Sequence, residues 1–194
     1  MLLSAQKARR PLFEEIYSRN DDYEVLKGII PDTAEFRYFF ADFLREIKKY
    51  DEAIKEYKAA IILARESKEL KIESDAYSLI GILYLWQKQN GQALDNLQQA
   101  VYVSPRNAWA LYNLGKTYFV MGRYEEAEDA LKRAIAVEPA MSASLLYLGK
   151  VYERFKLKEK AGQYYLEAIR CASGEYAEIF KKEAEDGLER LYNN

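Results

Sequence analysis

The residue types that most often carry enzyme chemistry are scarce in this sequence. Its 194 residues include no histidine, which removes the commonest general base and the commonest metal ligand. Cys171 is the single cysteine, so no disulfide can form within the chain. Asp42 and Glu46 are the only candidate pair for acid–base catalysis, and their four-residue spacing is ordinary for a solvated helix face. We therefore predict a protein that is not an enzyme and needs no metal or cofactor.

Composition and charge exclude further classes of function. Lys and Arg number 29 and Asp and Glu 31, giving a net charge of −2 without the basic excess of a nucleic-acid-binding protein. No stretch approaches the roughly 20 apolar residues that span a bilayer, and residues 1–10 lack the apolar run of a signal peptide. We expect no nucleic-acid partner, no membrane insertion by this chain and no export signal, with a cytoplasmic location as the default.

The elements that position the remaining side chains follow from an internal repeat of 34 residues. Shifting the sequence by this period aligns columns of aliphatic, glycine, tyrosine, alanine and proline residues: Ile80, Leu114, Leu148; Gly81, Gly115, Gly149; Tyr84, Tyr118, Tyr152; Ala93, Ala127, Ala161; Ala100, Ala134, Ala168; Pro105, Pro139. A period of about 34 residues is that of a helix–turn–helix solenoid. The scarcity of proline and glycine elsewhere also favours helices.

Each aligned column has a role in packing two helices. Gly81 lies on the apolar face of a first helix, where a large side chain would hold the neighbouring helix apart. Ala93, Leu97 and Ala100 form one face of a second helix, so that small residues allow close approach and the leucine fills the gap. Pro105 ends that helix because proline cannot continue its hydrogen bonding.

The unit that begins at residue 108 carries the most regular copy of the repeat: Leu114-Gly115-Lys116-Thr117-Tyr118, Gly122-Arg123-Tyr124-Glu125-Glu126-Ala127, Ala134 and Pro139. This pattern resembles the signature of the tetratricopeptide repeat family. The resemblance implies an all-α fold: a right-handed α-α superhelix of about four helix–turn–helix repeats with capping helices at both ends.

The predicted boundaries divide one structural domain into six segments. The segments are an N-terminal cap or degenerate half repeat at 1–33, a first repeat with a six-residue extension at 34–73, repeats at 74–107, 108–141 and 142–175, and a C-terminal capping helix at 176–194. The extension is predicted to lengthen two facing helices. An apolar stripe from Tyr176 and Ile179 to Leu191 is expected to close the last repeat.

The resemblance also implies a ligand site, because in this family the first helices of successive repeats line a concave surface. The second, fifth, ninth, twelfth and thirteenth positions of each repeat face that surface, and an asparagine at the sixth can reach a ligand backbone. The predicted groove residues are Ile82, Leu85, Trp86, Trp109, Tyr112, Asn113, Lys116, Phe119, Lys150 and Arg154. Large aromatic residues at such positions are typical of an interaction site.

Some of these predictions leave alternatives open. Trp86 could line the groove or pack against the lengthened helix before it, and Trp109 could line the groove or cover the preceding turn. Lysines on helices are commonly just solvated. The carboxylate clamp by which some family members hold C-terminal peptides is absent, since Ser78 and Ile82 stand where it needs lysine and asparagine.

Two classes of function fit the sequence. The first is a protein–protein interaction scaffold that binds a peptide or partner segment in an aromatic groove, with homo-oligomerisation through the groove or a cap as a further possibility. The alternative is the soluble repeat domain of a bacterial envelope or glycan-assembly protein, which would be extracytoplasmic. This alternative is based on a likeness to the repeat domains of O-antigen ligase-like proteins, carried by Tyr23–Leu26, Pro31 and Phe40–Arg45.

Overall fold

The computed structural model describes residues 11–15, 17–18, 23–174 and 176–193, among which there is no strand. Residues 11–15 and 17–18 are helical, in the region of the predicted leading helix, and residues 1–10 of the predicted cap lie outside the described part. The helices that follow are α1 (Tyr23–Ile29), α2 (Ala34–Glu46), α3 (Tyr50–Ser67), α4 (Leu70–Trp86), α5 (Asn90–Val103), α6 (Ala108–Val120), α7 (Tyr124–Val137), α8 (Ser142–Arg154), α9 (Lys158–Cys171) and α10 (Ala177–Asn193).

A tight turn ends the first helix of each pair. The left-handed position of this turn is taken by Lys48, Lys88, Gly122 and Lys156, with φ between 59° and 76°. At the turn after α6, the Arg123 amide donates to the Tyr118 carbonyl at 2.9 Å and the Gly122 amide donates to the Phe119 carbonyl at 3.0 Å. These two bonds form a Schellman motif, which satisfies the last carbonyls of the helix. The chain therefore reverses, and the second helix packs beside the first.

The helices of each pair approach closely at the aligned glycines. A Cβ added at Gly115 would lie 2.7 Å from Leu131 Cγ, and one added at Gly81 would lie 2.7 Å from Leu97 Cγ. Both leucines are fully buried. The repeat thus places a residue without a side chain on the first helix opposite a leucine side chain on the second.

The residues inserted after the first unit lengthen the helices on either side of them. Helix α3 has 18 residues and α4 has 17, whereas the other paired helices have 13 or 14. Helix α4 begins at Leu70, so the predicted boundary after residue 73 falls inside it. An ion pair joins the two extensions, because Arg65 Nη2 lies 2.8 Å from the buried Glu73 carboxylate.

A buried carboxylate fixes the N-terminal end of the stack. Glu56 accepts hydrogen bonds from the Tyr23 hydroxyl at 2.6 Å and from Arg37 Nη1 at 3.0 Å. Arg37 also binds Asp32 through Nε at 2.9 Å. Burying a charge is costly unless it is paired and hydrogen-bonded. These bonds meet that requirement and join α1 to the first pair.

Helix α10 closes the other end. Ala184 is fully buried, and Gly187 lies against the Tyr165 ring, where a Cβ would come within 2.6 Å of ring carbons. The predicted apolar stripe is buried only in part, because Tyr176 and Ile179 are each 55% exposed. Both lie near the start of α10, outside the part of the stripe that packs against α9 and α8.

Replacing Gly115 by alanine is expected to destabilise the protein. The added methyl group would overlap Leu131, and overpacking of a core costs about 1–3 kcal/mol, which outweighs the roughly 1 kcal/mol gained in helix propensity. Urea unfolding followed by circular dichroism measures the change in free energy of unfolding. Gly91→Ala in α5 is the matched control, since nothing lies within 4 Å of its added Cβ. Equal or greater stability of Gly115→Ala would contradict the packing argument.

Candidate peptide-binding groove

The first helices of the pairs form one face of the molecule. Helices α2, α4, α6 and α8 each contact the next one in this series, whereas the second helices of neighbouring pairs make fewer contacts with one another. A stack of helices curves toward the side on which its members are closer. The first helices therefore lie on the inner side, and we call the surface that they present the groove.

The centre of the groove holds an apolar pocket of about 460 Å³ between α4 and α6. Its apolar residues are Ile82, Leu85, Trp86 and Val120, and its polar ones are Lys88, Asn90, Asn113 and Lys116. Trp86 is 54% exposed, and its ring meets the Tyr50 ring edge-to-face at 5.7 Å. Trp86 thus lines the groove and also contacts the first unit, so the two alternatives from the sequence are not exclusive.

A second pocket of about 240 Å³, the aspartate pocket, adjoins the first and shares Ile82 and Asn113 with it. Its other lining residues are Tyr38, Asp75, Ser78, Leu79 and Trp109. Trp109 is 53% exposed, so about half of its side chain faces solvent. Because the two pockets share residues, they form one continuous depression across α4.

A third hollow of about 270 Å³, the cationic hollow, lies toward the C-terminal end of the groove. It is lined by Phe119, Lys150, Glu153, Arg154 and Arg190, the last of which belongs to α10. Arg190 pairs with Glu153, with Nε 3.3 Å from Oε1, and Lys150 pairs with Glu183 of α10. The capping helix therefore contributes charged side chains to the groove.

Nine of the ten predicted groove residues line one of these three cavities. The exception is Tyr112, which is only 5% exposed. Its ring lies beneath Trp109 and beside Tyr147, in edge-to-face contacts at 5.9 and 5.7 Å. The prediction that Tyr112 lines the groove is therefore wrong, because the neighbouring rings of α6 and α8 cover it.

Tyr147 is a groove residue that the position count missed. The Lys150 ammonium lies 4.6 Å from its ring centroid and the Lys116 ammonium lies 5.6 Å away. Its alignment with Asn113, one period earlier, was the signal in the sequence that could have identified it. Lys88 and Asn90 were also missed, because they belong to the turn and to the start of the second helix.

Burial and two neighbouring charges determine the pKa of Lys116. Desolvation lowers the pKa of its ammonium group, the neighbouring Lys150 lowers it further, and the carboxylate of Glu183 opposes both. No acidic residue lines the apolar pocket on which Lys116 borders. Lys116 is therefore a partly desolvated cation that faces a cavity.

The aspartate pocket is lined by a partly buried acidic residue, Asp75. Burial raises the pKa of its carboxyl group, while a hydrogen bond from Asn107 Nδ2 at 2.8 Å and the positive charge of Lys71 lower it. Asn107 is also the N-cap of α6, where its side-chain oxygen accepts from the Ala110 amide. The cap thus holds the carboxylate in place, and no cationic residue lines this pocket.

Asn113 and Asp42 are engaged within the protein. The Asn113 amide nitrogen donates to the Trp109 carbonyl at 2.9 Å, although the residue still lines both central pockets. Asp42 is buried and accepts from Arg45 Nη2 at 2.6 Å and from the Tyr57 hydroxyl at 2.9 Å. Glu46, its candidate catalytic partner, is exposed. Asp42 is therefore a structural ion-pair residue of the first unit.

Comparison with known families identifies the repeat. Three models described as tetratricopeptide repeat match residues 34–67, 74–139 and 112–176, which together cover most of the chain. The chain belongs to the tetratricopeptide repeat family. Its fold is the right-handed α-α superhelix that the resemblance implied. No curated protein sequence matches the chain.

Solved structures share this tetratricopeptide fold at low sequence identity. A crystal structure of MamA is 19% identical with a TM-score of 0.61, over 97% of this chain and 92% of that one. The first tetratricopeptide domain of Spaghetti (RPAP3), bound to the HSP90 peptide SRMEEVD, is 17% identical with a TM-score of 0.57, over 63% and 93%. The Sgt2 domain from Aspergillus fumigatus is 22% identical with a TM-score of 0.53, over 63% and 83%.

Two kinds of feature are absent from the described residues. None of the helices there is long and apolar enough to cross a bilayer. Within the same residues, no group of three carboxylate, histidine or cysteine side chains is placed to hold a metal ion.

The two charged neighbours of Lys116 are expected to shift the pKa of its ammonium group in opposite directions. Glu183→Gln removes a carboxylate that favours the ammonium form, so the pKa falls further, whereas Lys150→Gln removes a repelling charge, so the pKa rises. NMR titration of the lysine side chains measures both changes. Lys58→Gln on α3 is the control and should leave the Lys116 pKa unchanged. A rise in Glu183→Gln would contradict the described arrangement.

Proposed function

We propose that this tetratricopeptide protein is a non-catalytic scaffold that binds a segment of another protein in the groove. The observation that carries the proposal is the exposure of Trp86 and Trp109, each a little more than half exposed, on the inner face of neighbouring repeats. Neither ring is buried between the two helices of its own pair. Exposed aromatic residues flanking a cavity are the groups most often found at binding hot spots.

The shape of the groove supports an extended or helical segment as the ligand. The apolar and aspartate pockets form a continuous depression, and the cationic hollow continues it along the first helices. A single aromatic side chain that buries about 150 Å² in such a depression contributes several kcal/mol before the costs of ordering are subtracted. The RPAP3 domain of the same fold, with its HSP90 peptide, supports a peptide as the kind of ligand.

Charge along the groove supports a preferred ligand orientation. Asp75 is the one charged residue that lines the aspartate pocket, whereas the cationic hollow is lined by Lys150, Arg154 and Arg190 together with a single acid, Glu153. Complementary charges steer association and fix register more than they add affinity. A bound segment would therefore place its acidic part toward α8.

The non-catalytic part of the proposal depends on the positions of the carboxylates. Asp42, the candidate acid or base, is bound to Arg45 and Tyr57 and is buried within the first unit. The alternative role as a domain of an envelope glycan-assembly protein stays a prediction, as does homo-oligomerisation through the groove or a cap.

Removing both exposed indoles is expected to abolish capture of a partner. The Trp86→Ala, Trp109→Ala double variant loses the aromatic rims of both central pockets, and truncation of a hot-spot residue costs about 2 kcal/mol or more. Proteins retained from a lysate of the source organism are quantified by mass spectrometry. At least one protein should fall by about tenfold or more relative to the unsubstituted chain.

The matched control for the double variant is Tyr102→Ala. Tyr102 lies on the second helix α5, is 82% exposed and lines none of the three cavities. Circular dichroism checks that all variants fold. If the captured proteins are unchanged in the double variant but lost in Tyr102→Ala, the binding surface is on the second helices and the proposal is wrong.

A further inference from the structure

We propose that the groove recognises an extended segment that carries a basic, a large apolar and an acidic side chain in that order. The three side chains would occupy the aspartate pocket, the apolar pocket and the neighbourhood of Lys116. This inference rests on the proposed function and specifies the ligand for the same site. It commits to an internal acidic residue of another protein as the source of the carboxylate.

The aspartate pocket has the properties of a site for a cationic side chain. Asp75 is held by Asn107 and is flanked in the pocket by the rings of Tyr38 and Trp109. A cation near the face of an aromatic ring is attracted by the ring quadrupole, and a carboxylate beside it adds a charged hydrogen bond. No residue that lines this pocket is basic, and Lys71, the cation whose charge acts on Asp75, lies outside the pocket lining.

The apolar pocket lies between the two charged groups. It shares Ile82 and Asn113 with the aspartate pocket, and Lys116 is one of its own lining residues. Trp86 and Val120 are both more than half exposed around it, although each is large and apolar. An apolar ligand side chain would remove this surface from water, which is the main source of affinity in such sites.

Lys116 has the properties of a carboxylate receptor. Its ammonium lies over the Tyr147 ring, partly out of water, and Glu183, the carboxylate whose charge acts on it, is paired with Lys150. Burial of a cation without an anion is unfavourable, so an incoming carboxylate gains more here than at a solvated lysine. Lys88, on the rim of the same pocket, adds a second positive charge.

The spacing of the ligand residues follows from helix geometry. Asp75 occupies the second position of its repeat and Lys116 the ninth position of the next one. Seven residues along a helix span about 10 Å, and neighbouring helices lie about 9 Å apart. The two charges are therefore separated by roughly 14 Å, which an extended chain covers in about four residues.

The open ends of the groove favour an internal carboxylate over a chain terminus. Beyond Lys116 the groove continues into the cationic hollow, lined by Phe119, Lys150 and Arg154. A ligand that reaches Lys116 therefore does not meet a wall. The Asn113 amide nitrogen donates one of its two hydrogens to the Trp109 carbonyl, which leaves a single N–H for a ligand oxygen.

Selection from random peptides tests the inference without a known partner. The probe is a phage library of random 12-residue peptides flanked on both sides by Gly-Ser linkers, with a second library that ends in free C termini. Enriched peptides from the first library should carry a basic residue about four positions from an acidic one, with a large apolar residue between them. The Kd of such a peptide should rise about tenfold in Lys116→Gln.

Charge-reversal variants identify which groove residue contacts which charged residue of the peptide. Selection with Lys116→Glu should replace the acidic preference by a basic one, and selection with Asp75→Lys should replace the basic preference by an acidic one. Asp75→Asn is the substitute if Asp75→Lys does not fold, and it should simply lose the basic preference. Lys58→Glu on α3 makes the same charge change outside the three cavities and should leave the selected pattern unchanged.

The outcomes separate this inference from the proposed function. Enriched peptides that depend on Trp86 and Trp109 but keep their charge pattern in Lys116→Glu and in the Asp75 variants would overturn the inference and leave peptide binding intact. Enrichment only from the library with free C termini would also overturn it, by identifying a terminal carboxylate as the ligand. No enrichment from either library would overturn both the inference and peptide binding in the groove.

Discussion

The close approach of paired helices at the glycine column is the constraint on which the rest of the structure depends. At Gly81 and Gly115 the first helix presents no side chain, and a buried leucine of the second helix fills the space. This contact fixes which face of each first helix is turned toward its partner. The other side of the first helices presents the groove, and Trp86 and Trp109 are each a little more than half exposed there.

The same constraint explains how far the sequence could predict the fold and the site. The period of 34 residues, the aligned glycines and the prolines report contacts within the repeats, so the helix pairs follow from them, whereas the predicted groove positions came from the resemblance to the family. Tyr112 is a residue whose burial the position in the repeat did not predict. It occupies an inward position by the count, but the rings of Trp109 and Tyr147 cover it, because bulky residues at neighbouring positions shield one another.

Contacts from the capping helix could not be predicted, because α10 does not repeat. Lys150 looks like a free groove cation in the repeat alignment, but Glu183 of α10 pairs with it, and Arg190 of the same helix enters the cationic hollow. Position in a repeat indicates which way a side chain points. It does not indicate the charge of a neighbour that lies outside the repeat, and that neighbour decides whether a lysine is available to a ligand.

The distribution of paired charges therefore matters more than the total charge of the groove. Asp42 is neutralised by Arg45 and Lys150 by Glu183, so these residues contribute little to the field that a ligand meets. Asp75 and Lys116 line pockets that contain no residue of opposite charge, and both are partly withdrawn from water. Because Coulomb interactions strengthen as the local dielectric falls, these two residues dominate what the groove presents, with an apolar surface between them. A nearly neutral protein can in this way carry a groove whose two ends differ in charge.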